Sequence, residues 1–141
     1  MIERTFAMIK PDAVKNRISG KIITIIEDNG FDILRLVKGQ LTKEMAELFY
    51  DVHQGKPFFN DLVSFVTSGP VVIMALEKEN AITDWRNLMG ATDPKKAAPG
   101  TIRNMFCTDI SENAVHGSDS PETAMRELAL FFAAPEEQQP E

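Results

Sequence analysis

The chain is 141 residues long, 43% hydrophobic and 26% charged, with 8 Gly and 8 Pro, the composition of a folded protein that can bury a core without staples. One cysteine, Cys107, and two histidines, His53 and His116, exclude an intramolecular disulfide framework and argue against a structural zinc centre. The net charge of −6 argues against a nucleic-acid-coating protein; six acids against Arg126 lie within residues 117–141, which leaves the rest nearly neutral and compatible with a local cationic pocket. No apolar run approaches the ~18–20 residues of a membrane span. Met1 to Thr5 lacks the basic start and apolar stretch of a signal peptide. One domain over residues 1–141, in the cytoplasm and with no membrane partner, is the expectation.

In chain order, Arg4 to Lys10 reads as a strand that ends in a turn at Lys10-Pro11-Asp12. Ser19 is the expected N-cap of a helix carrying Ile22, Ile23, Ile25 and Ile26, stopped by Gly30. Phe31 to Gln40 returns to strand character. Thr42 can cap a helix with Met45, Leu48, Phe49 and Val52 at i, i+3, i+4 and i+7, and a second helix covers Asn60 to Thr67. Gly69-Pro70 launches a buried strand, Val71 to Leu76, and Asn80 caps a helix through Leu88 that Gly90 closes.

No period survives from Ala91 to Ser111, a loop of about twenty residues of the kind that carries function. A short strand lies near Val115. Ser120-Pro121 then starts a helix that places Met125, Leu128, Ala129 and Phe132 on one face, and residues 133–141 form a short acidic tail expected to fray. The order predicts an α+β fold, with helices covering one face of an antiparallel sheet.

The familiar nucleotide motifs are absent. Gly20-Lys21 looks like the end of a phosphate loop, but Lys15 and Ile22 break the pattern at both ends, and no G-x-G-x-x-G occurs. What stands out is Asn113 to Ser120. There His116 follows an apolar strand residue and precedes Gly117, which is expected to leave the imidazole approachable. A histidine there can be a nucleophile, provided an acceptor orients its second ring nitrogen; Glu127, about two helical turns past Ser120, is within reach. Taken alone, it can equally be a satisfied structural histidine. Lys10, Lys56, Arg86 and Arg103 fall at element ends or in the long loop, where cations from different elements can converge on phosphate, although each alone also reads as a surface charge. Phe58 offers a platform on which a base could stack, while Phe59 reads as core.

Together these segments resemble nucleoside diphosphate kinases of the short bacterial type over residues 3–132. The matching blocks are Glu3-Arg4-Thr5-Phe6 through Ile9-Lys10-Pro11-Asp12, Lys56-Pro57-Phe58-Phe59, Ser68 to Val72, Leu88 to Thr92, Pro99 to Arg103, and Asn113 to Ser120. The resemblance implies a ferredoxin-like sandwich: a four-stranded antiparallel sheet with helices packed on it, an inserted helical pair and a long loop. It implies transfer of the γ-phosphate of ATP or another nucleoside triphosphate to a nucleoside or deoxynucleoside diphosphate, in ping-pong order through a phosphohistidine at His116. By the same resemblance, Lys10, Tyr50, Arg86, Thr92, Arg103 and Asn113 surround the phosphates and sugar, Phe58 stacks on the base, and Ser118 and Glu127 orient the histidine. Mg2+ is the implied cofactor, held mainly by nucleotide phosphates with Asp119 nearby.

Ala13 and Lys56 depart from residues common among relatives (glycine and arginine), and neither touches the nucleophile. The long C-terminal extension of animal relatives is missing. The implied assembly is a homo-oligomer built from dimers, tetramer ahead of hexamer, with the loop at Pro94 near subunit contacts. Two other readings compete. A non-catalytic nucleotide-binding module would have no need of His116 with Glu127 behind it. A phosphohistidine hydrolase would share the intermediate and release phosphate without an acceptor.

Overall fold

The architecture grows from one strand buried on both sides. The computed structural model describes residues 2–107 and 112–133, so the end of the long loop and the expected tail from residue 134 onward lie outside the described residues. Strand β1 (Ile2–Ile9) sends Phe6 and Met8 to one face and Ala7 and Ile9 to the other, and none of the four is exposed. A period-2 pattern therefore appears in the sequence as an apolar run, as it does for any strand covered on two faces. Strands β2 (Asp32–Gly39), β3 (Val71–Glu79) and β4 (Val115–Gly117) complete a four-stranded sheet in the order β2-β3-β1-β4, with every pairing antiparallel. A ferredoxin-like α+β sandwich results.

Helices α2 (Ser19–Asp28) and α5 (Ala81–Met89) cover the Ala7 and Ile9 face through Ile22, Ile26, Trp85 and Met89. The inserted pair α3 (Lys43–Phe49) and α4 (Phe59–Val66) covers the Phe6 and Met8 face. On that side it is joined by the end of α7 (Pro121–Leu128), which continues as a wider turn through Ala129–Ala133 and buries Phe132. Both faces are thus covered, where element order alone suggested one. Two short helices, α1 (Pro11–Lys15) and α6 (Ile102–Phe106), complete the set. Among the described residues, no helix is long and apolar enough to cross a membrane.

Several local expectations are corrected. Lys10-Pro11-Asp12 begins α1, because proline at N1 is preorganised for a helix. Ser19 is the first helical residue rather than a cap. The α3 stripe ends at Phe49: Leu48 and Val52 are exposed and Ala46, Phe49 and Tyr50 are buried instead. On α7, Met125 points outward while Glu127 is buried. Order also returns within the long loop, as a 3-10 turn at Pro94–Lys96, where Pro94 is buried, and as α6.

Helix α5 takes its cap from across the sheet. Asn80 precedes it with a left-handed φ of 57° and makes no capping bond; the Ile82 amide donates to Glu3 Oε1 at 2.8 Å. Glu3→Ala should cost about 1 kcal/mol, the scale of a lost helix cap, and lower Tm by about 2–4 °C in a chain of this length. Asn80→Gly, which keeps the left-handed turn, should leave Tm where it is. Calorimetry of the two variants separates the roles.

Candidate active site

The site begins at the short edge strand β4. Pairing with β1 sets His116 opposite Met8 and sends its ring among aromatics, 4.8 Å centroid to centroid from Phe49 and 6.1 Å from Phe6. Its carbonyl accepts from Trp85 Nε1 at 3.2 Å. That indole explains Gly117: a Cβ there would lie 2.4 Å from Trp85 Cδ1 and 2.7 Å from Met89 Cε. Packing against α5 thus requires the glycine, which also lines the cavity beside His116.

Behind the ring, His116 Nε2 meets Glu127 Oε1 at 3.1 Å and Oε2 at 3.3 Å. Ser118 Oγ donates to the same Oε1 at 2.8 Å. A carboxylate only accepts, so Nε2 carries the proton and Nδ1 keeps its lone pair. Burial lowers the His116 pKa against the opposing pull of Glu127, which favours the neutral imidazole. Helix α7 delivers the carboxylate, and its start is fixed by Ser120, whose Oγ accepts from the Thr123 amide at 3.1 Å.

In front of the ring lies a cavity of about 590 Å3, ample for a small phosphorylated ligand. Lys10, Tyr50, Phe58, Arg86, Thr92, Arg103, Asn113, Asp119 and Glu127 line it together with His116. Of the candidate residues, Lys56 does not line this cavity and Ser118 sits fully buried behind Glu127. Lys10 Nζ donates to Asn113 Oδ1 at 2.9 Å. Burial first, and the Arg103 charge second, pull the Lys10 pKa down to about 8. Arg103 is committed on its inner side: Nε donates to Asn113 O, Nη1 to Gly90 O and Nη2 to Val115 O, at 3.2, 3.0 and 2.7 Å. Each terminal nitrogen keeps a second N–H. Burial, reinforced by the Glu127 charge, raises the Tyr50 hydroxyl to about 12, so it stays protonated as a donor.

The outer rim carries Phe58, 45% exposed, with the His53 ring 5.2 Å away and Lys56 Nζ 5.8 Å from its centroid. Sequence reasoning missed His53 and Arg126 on this wall. Arg126 donates to the Leu48 and Phe49 carbonyls at the end of α3 and so ties the inserted pair to α7. No local pattern marked either residue, since adjacent helical positions lie about 100° apart and Glu127 says nothing of where Arg126 points.

Residues 3–137 match the family description "Nucleoside diphosphate kinase". The chain belongs to the nucleoside diphosphate kinase family. A relative of that name from Trichlorobacter lovleyi is 59% identical over 131 residues, covering 93% of this chain and 95% of the relative. One from Wolbachia pipientis subsp. Culex pipiens is 57% identical, covering 94% and 95%. Among solved structures, the nucleoside diphosphate kinase of Aquifex aeolicus superposes with a TM-score of 0.91 at 44% identity, covering 94% of this chain and 96% of that one. The Halobacterium salinarum enzyme, solved in complex with CDP, gives 0.90 at 45%, covering 94% and 88%.

Lys10, on the wall of this cavity, leaves a signature in stability. Unfolded, Lys10 titrates near 10.5; folded, near about 8, so between those values the unfolded chain holds more protons. Stability should therefore rise as pH climbs from 8 towards 10.5, by up to about 3 kcal/mol, and show no such slope below 8. Urea unfolding of wild type against Lys10→Met from pH 7 to 10 isolates the contribution, because the variant lacks that slope.

Proposed function

We propose that this chain transfers the γ-phosphate of a nucleoside triphosphate, chiefly ATP, to nucleoside and deoxynucleoside diphosphates in ping-pong order through phosphorylated His116. The observation that carries this reading is the buried Ser118–Glu127–His116 chain behind a cavity lined by Lys10, Arg86 and Arg103. With Nε2–H held on Glu127, the Nδ1 lone pair attacks the γ-phosphorus. The bond from that phosphorus to the bridging oxygen breaks, and the diphosphate leaves with the electron pair. The imidazolium formed keeps its Nε2 proton beside the Glu127 carboxylate, which stabilises the positive charge. An incoming diphosphate then attacks the phosphohistidine with a terminal oxygen, and the neutral histidine returns.

Phosphoryl transfer of this kind depends on positioning and on stabilising negative charge as it spreads over the phosphate oxygens. Lys10, Arg86 and the outward N–H groups of Arg103 supply charge; Tyr50 and Thr92 supply neutral donors. Lys10 and Asn113, already bonded to each other, suit the sugar 3′-hydroxyl. Phe58 on the rim suits stacking without reading base edges, consistent with a CDP-bound relative and with tolerance of several bases. Enzymes of this family need a divalent cation, and we assign Mg2+. Asp119 is the wall carboxylate left by the Glu127–His116 pair. That arrangement fits an ion held through phosphate oxygens with Asp119 nearby, and when bound it neutralises phosphate charge.

Brief incubation with γ-labelled ATP and Mg2+ should place acid-labile, base-stable phosphate on the peptide containing His116, discharged by a diphosphate. Glu127→Gln should slow turnover on the order of a hundredfold, the scale of a positioned acid–base group. A folded, nucleotide-binding sample that takes no label would instead be the non-catalytic module.

For assembly, we propose a homo-oligomer built from dimers, tetramer ahead of hexamer. The edge strand β2 supports the dimer: Leu34, Leu36 and Val37 are 40, 44 and 46% exposed on an unpaired edge, which invites pairing with a second chain. Light scattering should show Leu36→Lys reduced to the monomer mass, and Pro94→Ser should weaken the higher assembly while sparing the chemistry. An unchanged mass in Leu36→Lys overturns the β2 interface.

A further inference from the structure

We propose that Asp12 is a positioning residue for phosphoryl transfer, a clamp that holds the Asn113–His116 segment in register with Lys10; this rests on the reading of His116 as the phosphorylated residue. The starting observation is Ala114. Its φ is +73°, in the region L-residues avoid, and it is buried, whereas the other two non-glycine residues with positive φ among the described residues, Arg17 and Asn80, sit exposed beside helix ends. The Val115 amide donates back to Asn113 O at 2.8 Å, closing a three-residue turn around Ala114. A turn of that hand is rare and strained, and it persists only where the surroundings over-determine it.

Those surroundings come from one place. The Ala114 amide donates to Asp12 Oδ2 at 3.1 Å, and its carbonyl accepts from the Lys10 amide at 2.8 Å. The segment after β1 thus grips both polar groups of the strained residue. The turn gives the flanking peptides their directions. The Asn113 and Val115 carbonyls both point to Arg103, and the Asn113 side chain reaches Lys10 Nζ. If Ala114 relaxed to an ordinary φ, Asn113 would swing relative to His116, two residues beyond it, and the two halves of the site would lose their register.

Asp12 lies in the first turn of α1, where a carboxylate favours the helix start, and it also reaches across to Ala114. Its Oδ1 is buried with no hydrogen-bond partner among the described residues, and burial raises its carboxyl pKa against the opposing pull of nearby backbone amides and of Lys10. The start of α1 does not require the long reach to Ala114, so the bond to that strained peptide is explained by what it orients.

A double-mutant cycle tests the clamp. Asp12→Ala should lower the single-turnover rate of His116 phosphorylation about tenfold, the scale of releasing one strained backbone conformation. KM should change less than the rate, because Phe58 and Arg86 are untouched. Glycine adopts positive φ without a clamp, so adding Ala114→Gly should return the rate to within about threefold of wild type. Asp12→Asn, which keeps an acceptor, should fall between. Hydrogen exchange of the Ala114 amide should quicken at least about tenfold in Asp12→Ala, read independently of activity. Equal exchange and equal rates in wild type and Asp12→Ala overturn the clamp, as does a loss that Ala114→Gly leaves unrestored. Absence of label on wild-type His116 overturns the phosphohistidine reading instead, and the exchange comparison still decides whether Asp12 holds Ala114.

Discussion

A buried carboxylate organises this molecule. Glu127 is 4% exposed, and at that depth an unpartnered charge would cost several kcal/mol. Its oxygens are occupied by the Ser118 hydroxyl and by Nε2 of His116, so satisfying the carboxylate and orienting the imidazole are the same event. The remaining requirements follow. Helix α7 must start where it does, capped by Ser120, so that Glu127 reaches back beneath β4. Strand β4 must in turn pair with β1, so that the ring meets Phe49 and the carboxylate together.

The front of the site is a deliberate mismatch of charge. Burial lowers the pKa of both Lys10 and Arg103, and a neighbouring cation adds to each, Arg103 on Lys10 and Arg86 on Arg103. Helix formation and sheet pairing elsewhere sustain that cost. A polyanion relieves it, since cations assembled before the ligand arrives need no further ordering when it binds. Arg103 shows how the rigidity is obtained: three backbone carbonyls fix the plane of its guanidinium, including those of residues 113 and 115 on the strained turn.

Much of this was legible in the sequence, for identifiable reasons. The strands and most helices announce themselves because β-branched runs, Thr42 and Ser120-Pro121 act locally. The resemblance brought the cavity residues together because its blocks fall at the ends of elements, where the ferredoxin-like order gathers them. What escaped depends on tertiary context. Leu48 and Met125 sit at core-like spacings yet face outward, while polar Glu127 takes the buried position, because site chemistry overrides the apolar pattern on α7. Glu3 caps α5 across more than seventy residues of chain, so no local window contains the signal. Asp12 and Ala114 were visible only as members of matching blocks, since a left-handed alanine has no sequence signature.

The single tryptophan of the chain now has a second significance. Trp85 is fully enclosed, and its indole N–H rests on the carbonyl of His116, with Gly117 stripped of a side chain to admit it. A lone indole in a dry environment, hydrogen-bonded to the residue at the centre of the site, is a built-in fluorophore. Its emission is uncontaminated by any other tryptophan, and that hydrogen bond is part of the environment to which an indole's emission responds. Backbone movement at His116 would thus be readable in the unlabelled chain by light alone, on the timescale of a stopped-flow mixing experiment.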